Sequence, residues 1–153
     1  MSGDRLSWDQ YFLTITRQVA ERSTCTRAKV GATIVRAKSI LATGYNGSPS
    51  GAPHCTEVGC LIVESTTPEG DTEENCFRTI HAEINAIAQA AKNGTSIQGA
   101  SVYITHSPCF HCLKTLVNTG IEAIYFEKPY KLDRVAELVG QTGITLHQVE
   151  FTG

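Results

Sequence analysis

Two short segments, His81-Ala82-Glu83 and Pro108-Cys109-Phe110-His111-Cys112, constrain this chain more than any other feature. Each opens a stretch with helical spacing, and the second follows a β-branched run. Thiolates and an imidazole suit tetrahedral zinc, and three protein ligands leave a fourth place for water. A cysteine pair three positions apart closes on one metal from the first turn of a helix, whose positive end favours the thiolate. Residues two apart on a helix point about 200° from each other, so His81 and Glu83 share a site only off the helix end. There Glu83 stands beside the metal without ligating it, placed to pass a proton from water to a substrate nitrogen. By chance a chain of this composition holds about 0.4 His-x-Glu matches but fewer than about 0.01 Pro-Cys-x-x-Cys matches. The information lies in the pair of segments together.

The elements around them read as alternating strands and helices. Ser7-Trp8-Asp9-Gln10 fits a capping box, and Trp8, Tyr11, Phe12, Ile15 and Val19 predict a helix to about Arg22. Val30 to Val35 and Ile40 to Tyr45 predict strands joined as a hairpin across Arg36-Ala37-Lys38-Ser39. Helices are expected over Ile80 to Lys92, Pro108 to Thr119 and Leu132 to Val139, with strands at Ala100 to Thr105, Ala123 to Phe126 and Thr145 to Val149. Parallel crossovers after an antiparallel hairpin imply a three-layer α/β/α sandwich around a mixed five-stranded sheet. Between Asn46 and Arg78 the pattern dissolves into Gly, Pro, Ser, Thr and acids. Compact domains rarely hold loops beyond ~15 residues unless something ties them down, and this one contains Cys55, Cys60 and Cys76.

At 153 residues the chain is expected to form a single domain spanning 1–153. Its 13 Lys and Arg against 15 Asp and Glu give a net charge of −2, which lacks the basic excess of most nucleic-acid binders. Apolar runs stop far short of the ~20 residues of a membrane-spanning helix. Met1 to Arg5 has no apolar signal core behind it. The expectation is a soluble, cytoplasmic protein without nucleic-acid or membrane partners. In that setting six cysteines point to metal rather than disulfides.

The two segments together make the zinc deaminase pattern, with a His-x-Glu and a Pro-Cys-x-x-Cys on successive helices. Val30-Gly31-Ala32-Thr33-Ile34-Val35, Gly44-Tyr45-Asn46-Gly47-Ser48-Pro49 and Thr79-Ile80-His81-Ala82-Glu83-Ile84-Asn85-Ala86-Ile87 closely resemble deoxycytidylate (dCMP) deaminases of bacteria and phages. Tyr103 to Cys109 and Gly120 to Phe126 extend the resemblance, which runs from Trp8 to about Val149. It implies a cytidine-deaminase-like fold, hydrolysis of dCMP to dUMP, activation by dCTP, inhibition by dTTP and a homohexamer.

Carried over by that resemblance, His81, Cys109 and Cys112 hold the catalytic zinc and Glu83 shuttles protons. Asn46 holds the sugar hydroxyl, and Ala82 borders the substrate. Arg22, Arg27, Lys29 and Ser107 are candidates for the phosphate, and Tyr125 or Tyr130 for stacking on the base. Gly44, Tyr45, Asn46 and Gly47 resemble the family's allosteric segment, with Lys38 and Arg36 as charges for a triphosphate carrying Mg²⁺. Some members bind a second zinc through cysteines aligning with Cys25 and Cys55; here Cys60 and Cys76 complete a set of four, with His54 in reserve. The competing readings are ordinary ones. Asn46-Gly47 is also a turn signal, the basic residues also serve as solvated surface, Tyr125 also suits a core, and four thiols also occur free. Another zinc deaminase, acting on a free nucleoside or on adenosine in transfer RNA, is the alternative activity. A zinc-stabilised module without activity is the non-enzymatic one, which an intact Glu83 opposes.

Overall fold

The computed structural model describes residues 5–150, so the signal-free reading of Met1 to Arg5 lies mostly outside the described residues. Helix α1, Trp8–Ala20, begins where Ser7 accepts a hydrogen bond from the Gln10 N–H at 3.1 Å. It buries Phe12, Leu13, Thr16 and Ala20, the stripe that helical spacing aims at one neighbour. Strands β1, Gly31–Arg36, and β2, Ser39–Tyr45, form the expected antiparallel hairpin.

The segment without pattern is not structureless. It holds a one-turn helix α2, Cys55–Val58, and a separate two-stranded hairpin of β3, Ile62–Thr66, and β4, Thr72–Cys76. The remaining elements are α3, Ala82–Lys92; β5, Ser101–His106; α4, Phe110–Asn118; β6, Ala123–Lys128; α5, Leu132–Thr142; and β7, Thr145–Gln148. The five-stranded sheet runs β2-β1-β5-β6-β7, with β1 antiparallel to both neighbours and β5, β6 and β7 mutually parallel. This is the mixed sheet expected from the element order.

Two cores divide the layers. On one face Phe12, Leu13, Val35 and Tyr103 pack α1 on the sheet. On the other, Ile34, Val102, Ile104, Ile124 and Phe126 meet Ala82, Ala86 and Ala90 of α3, Leu113 and Leu116 of α4 and Val135 of α5. Small residues on α3 let it lie against β2. A side-chain carbon at Gly44 would stand 2.3 Å from the Ala82 carbonyl oxygen and from the Ala86 nitrogen. Gly31 likewise admits α1, its missing carbon falling 2.4 Å from the Thr16 carbonyl oxygen. No described helix is long and apolar enough to cross a membrane.

Candidate active site

The crossover from β2 through α3 and that from β5 through α4 run on the same face of the sheet. Both helices therefore start at the same sheet end, where ligand sites of parallel sheets form. His81 is the residue immediately preceding α3, and Cys109 immediately precedes α4. Their carbonyls are taken up by Asn85 N–H at 3.0 Å and Leu113 N–H at 2.9 Å, which leaves both side chains off the helix ends. Cys112 follows in the first turn of α4, buried.

The three ligand atoms converge. His81 Nδ1 lies 3.2 Å from Cys112 Sγ and 3.6 Å from Cys109 Sγ. Zinc bonds of ~2.3 Å to sulfur and ~2.0 Å to nitrogen, at tetrahedral angles, separate ligands by ~3.5–3.8 Å, so the donor set fits that ion. The thiols behave accordingly. A hydrogen bond from Cys112, with His81 adding to it, draws the Cys109 thiol down to about 4, while Cys112, on the other side of that bond, is driven up. His81 is raised by its hydrogen bond to Cys109.

Glu83, in the first turn of α3, is only 4% exposed. Burial pushes its carboxyl up to about 7, against the opposing pull of its own backbone N–H and of His81. A carboxyl with that proton affinity can both take and give a proton near neutral pH.

His81, Glu83 and Cys109 form one wall of a cavity of about 360 Å³. Asn46, Ala82, Arg27 and Ser107 line it too, as the sequence suggested, and Arg27 is the one Lys or Arg on its described wall. Two of these side chains also make hydrogen bonds within the chain. Asn46 Oδ1 accepts from Ser23 Oγ at 2.5 Å and Val30 N–H at 2.9 Å, while Nδ2 donates to the Ala28 carbonyl at 2.8 Å. It pins the segment carrying Arg27 to the end of β2. Ser107 Oγ accepts from Tyr130 N–H at 2.6 Å and donates to the Tyr130 carbonyl at 3.1 Å, so it secures Tyr130 at the rim.

Other expectations are corrected. Tyr125 is outside the cavity, stacked between Tyr103 and His147 at centroid distances of 4.8 and 4.9 Å, because its strand position faces the α1 side. Arg22 and Lys29 do not line the cavity, and Lys29 pairs with Glu21 at the surface. Lys38 sits at the hairpin turn over the Trp8 ring, and Arg36 donates to the Ser96 and Gln98 carbonyls. Gly44 to Gly47 lie at the other end of β2, about 20 Å away along an extended strand. Gly44 is packing space for α3.

Cys55, Cys60 and Cys76 bring their sulfurs within 4.8 Å of one another, and Cys55 and Cys76 are 3.7 Å apart. Cys25 stands outside that group and lines the catalytic cavity, its sulfur accepting from Arg27 N–H at 3.3 Å. His54 Nδ1, one residue before Cys55, is buried without a hydrogen-bond partner among the described residues.

Sequence reasoning missed six residues of the wall: Ala28, Val30, Glu74, Asn75, Thr79 and His106. Position alone signals His106, which ends the strand leading into Ser107-Pro108-Cys109. Nothing local signals Glu74 and Asn75. They arrive because Lys131 and Arg134 hold Glu73, and with it β4, against the start of α5.

The model of the cytidine and deoxycytidylate deaminase zinc-binding region matches residues 6–128. The chain belongs to the cytidine and deoxycytidylate deaminase family. Among curated relatives in this family, ComE operon protein 2 of Bacillus subtilis is 46% identical over 149 residues, covering 97% of this chain and 74% of its own. The deoxycytidylate deaminase of Schizosaccharomyces pombe is 34% identical, and the match spans 94% of this chain but only 44% of that longer protein. Among solved structures, a dCMP deaminase from the cyanophage S-TIM5, in complex with dCMP and dUMP, superposes with a TM-score of 0.74. That match has 31% identity and covers 92% of this chain and 95% of that one.

Proposed function

We propose that this chain hydrolyses dCMP to dUMP and ammonia, supplying dUMP for dTMP synthesis. The observation that carries the reading is Glu83, buried beside the converging His81, Cys109 and Cys112 in a cavity that also presents Arg27. The likeness to a phage enzyme solved with dCMP and dUMP supports the same substrate.

His81, Cys109 and Cys112 would hold the catalytic zinc. When bound, it supplies polarisation of a water in the fourth position, lowering that water's pKa toward ~7. Glu83 takes one proton from the attacking water and gives it to cytosine N3, then takes the second from the new C4 hydroxyl and gives it to the departing amino group. One water is consumed and one ammonia leaves, so the carboxyl returns to its starting state. Its raised proton affinity suits both halves of that cycle. Ala82, beside Glu83, borders the base, and Arg27 meets the phosphate.

A second, structural zinc is proposed on Cys55, Cys60 and Cys76, whose sulfurs lie within 4.8 Å of one another; the 3.7 Å between Cys55 and Cys76 matches the ~3.8 Å edge of a thiolate tetrahedron. Cys25 supplies the fourth ligand, or His54 with its unpartnered nitrogen; separate substitution assigns it. Regulation is proposed at Tyr45 to Gly47, where the exposed Tyr45 ring adjoins Asn46 on the cavity wall. There Mg·dCTP activates and dTTP inhibits across a homohexamer of single-domain, cytoplasmic chains, as the family resemblance implies. Initial rates against dCMP with each triphosphate test this: a sigmoidal curve made hyperbolic by dCTP is expected, and identical hyperbolas end it. Ultraviolet loss with dCMP, cytidine and dCTP as substrates tests the activity itself. Turnover of dCMP is expected; preference for cytidine would move the assignment to a nucleoside deaminase.

A further inference from the structure

We propose that His106 is a specificity residue whose Nε2–H donates a hydrogen bond to a phosphate oxygen of a nucleoside monophosphate. The assignment rests on the reading of the cavity as a nucleotide site.

His106 is the last residue of β5 and lies on the cavity wall beside Ser107. Its ring is oriented by the preceding residue, since Thr105 Oγ1 and His106 Nδ1 are 2.9 Å apart. Thr105 is buried, and its Oγ1 already accepts from the Gly31 N–H at 3.2 Å. A hydroxyl carries one hydrogen and needs an acceptor for it. Among the described residues the ring nitrogen is the acceptor recorded for that hydrogen. The relay therefore runs from Gly31 N–H to Thr105 and from the Thr105 hydroxyl to Nδ1. The ring proton is left on Nε2, which has no protein partner among the described residues.

The surroundings define the ligand's chemistry. Ala32 pairs with Ile104 in the antiparallel β1–β5 ladder, and Gly31 bonds to Thr105 beyond it. The segment running back from Gly31 through Val30 and Ala28 to Arg27 thus passes alongside His106, and all of its named residues except Gly31 line the cavity. On the other side, His106 is in register with Lys128 of β6. A neutral donor on the same wall as the Arg27 cation suits an anionic oxygen, and charge-assisted hydrogen bonds are the stronger kind. Burial, with Lys128 adding to it, lowers the proton affinity of the ring and keeps it neutral, so it offers one donor in a fixed place. The same cavity end has no use for that donor when the ligand lacks a phosphate.

The test is calorimetric binding of dCMP and of deoxycytidine to the zinc-loaded protein and to His106→Phe, His106→Gln and Thr105→Val. Phenylalanine keeps the ring and removes the donor. Glutamine restores an N–H near the Nε2 position. The expected result is a loss of dCMP affinity of about 10- to 100-fold in His106→Phe, largely recovered in His106→Gln. Thr105→Val, which leaves the ring but breaks the relay, is expected to lose several-fold. Deoxycytidine should bind all four proteins alike. Equal dCMP affinity in His106→Phe and wild type overturns the proposal, and so does equal weakening for both ligands. If His106→Phe fails to fold, as melting and zinc content report, Thr105→Val decides by the same ratio. Wild-type protein that binds dCMP but does not convert it refutes the deaminase reading and leaves the His106 assignment standing.

Discussion

Gly44→Ala separates packing from ligand binding in the most revealing stretch of the chain. The added carbon would lie 2.3 Å from backbone atoms of Ala82 and Ala86, against an ordinary contact of at least 3.4 Å, so α3 must retreat by about 1 Å. Neither obstacle is a side chain that can rotate away. Overpacking of this kind costs about 1–3 kcal/mol. The retreat also moves the first turn of α3, which carries Glu83 and follows His81, relative to Cys109 and Cys112 on α4. A misplacement of ~1 Å at reacting groups costs on the order of 100-fold in rate. Urea unfolding should therefore show the lost stability, and kcat at saturating dCMP without triphosphates should fall by that order. If the variant keeps wild-type stability and kcat but loses its response to dCTP, Gly44 serves an effector and the packing argument is wrong.

Glu83→Ala should retain zinc and fold while losing at least ~100-fold in kcat, the lower end of general acid–base catalysis; an active variant removes the proposed proton shuttle. Elemental analysis should give two zinc ions per chain in the wild type and one in Cys76→Ser, with melting temperature falling further than kcat. A wild-type value of one ends the second site. Glu127 is held below its ordinary range by the hydrogen bond from Arg17, which ties α1 to β6. That stability is present above the unfolded value of 4.5 and lost as pH falls through the lower folded value. Unfolding free energy should decline less between pH 7 and pH 3 in Glu127→Gln, by about 1 kcal/mol given the partly exposed Arg17; parallel curves would show the pair to be idle.

The parts of the site legible in the sequence were those with short-range signatures. His81, Glu83, Cys109 and Cys112 announce themselves because metal ligation and helix starts impose residue types at close spacing. The sheet was equally legible, since Val30 to Val35 and Ala100 to Thr105 are runs that only a buried strand accommodates. The β3–β4 hairpin was not. Glu64, Ser65, Glu73 and Glu74 carry no apolar alternation, because the pair lies on no core and is held instead by clustered thiols and the grip of Lys131 and Arg134 on Glu73. The roles of Asn46 and Ser107 were also hidden. Both stand where family resemblance puts a substrate contact, yet their hydrogen bonds go to backbone that only the folded chain brings near. Lys38 and Gly44 look adjacent in sequence, and only the extended run of β2 between them shows how far apart they are.

The central claim is that Glu83, beside the zinc ligands, makes this chain a hydrolase of dCMP. Ammonia release from dCMP by the zinc-loaded protein, with dUMP counted alongside, tests it most directly. One ammonia for each dUMP, abolished in Glu83→Ala, is the predicted result. A zinc-loaded wild-type protein that releases no ammonia from dCMP would contradict it.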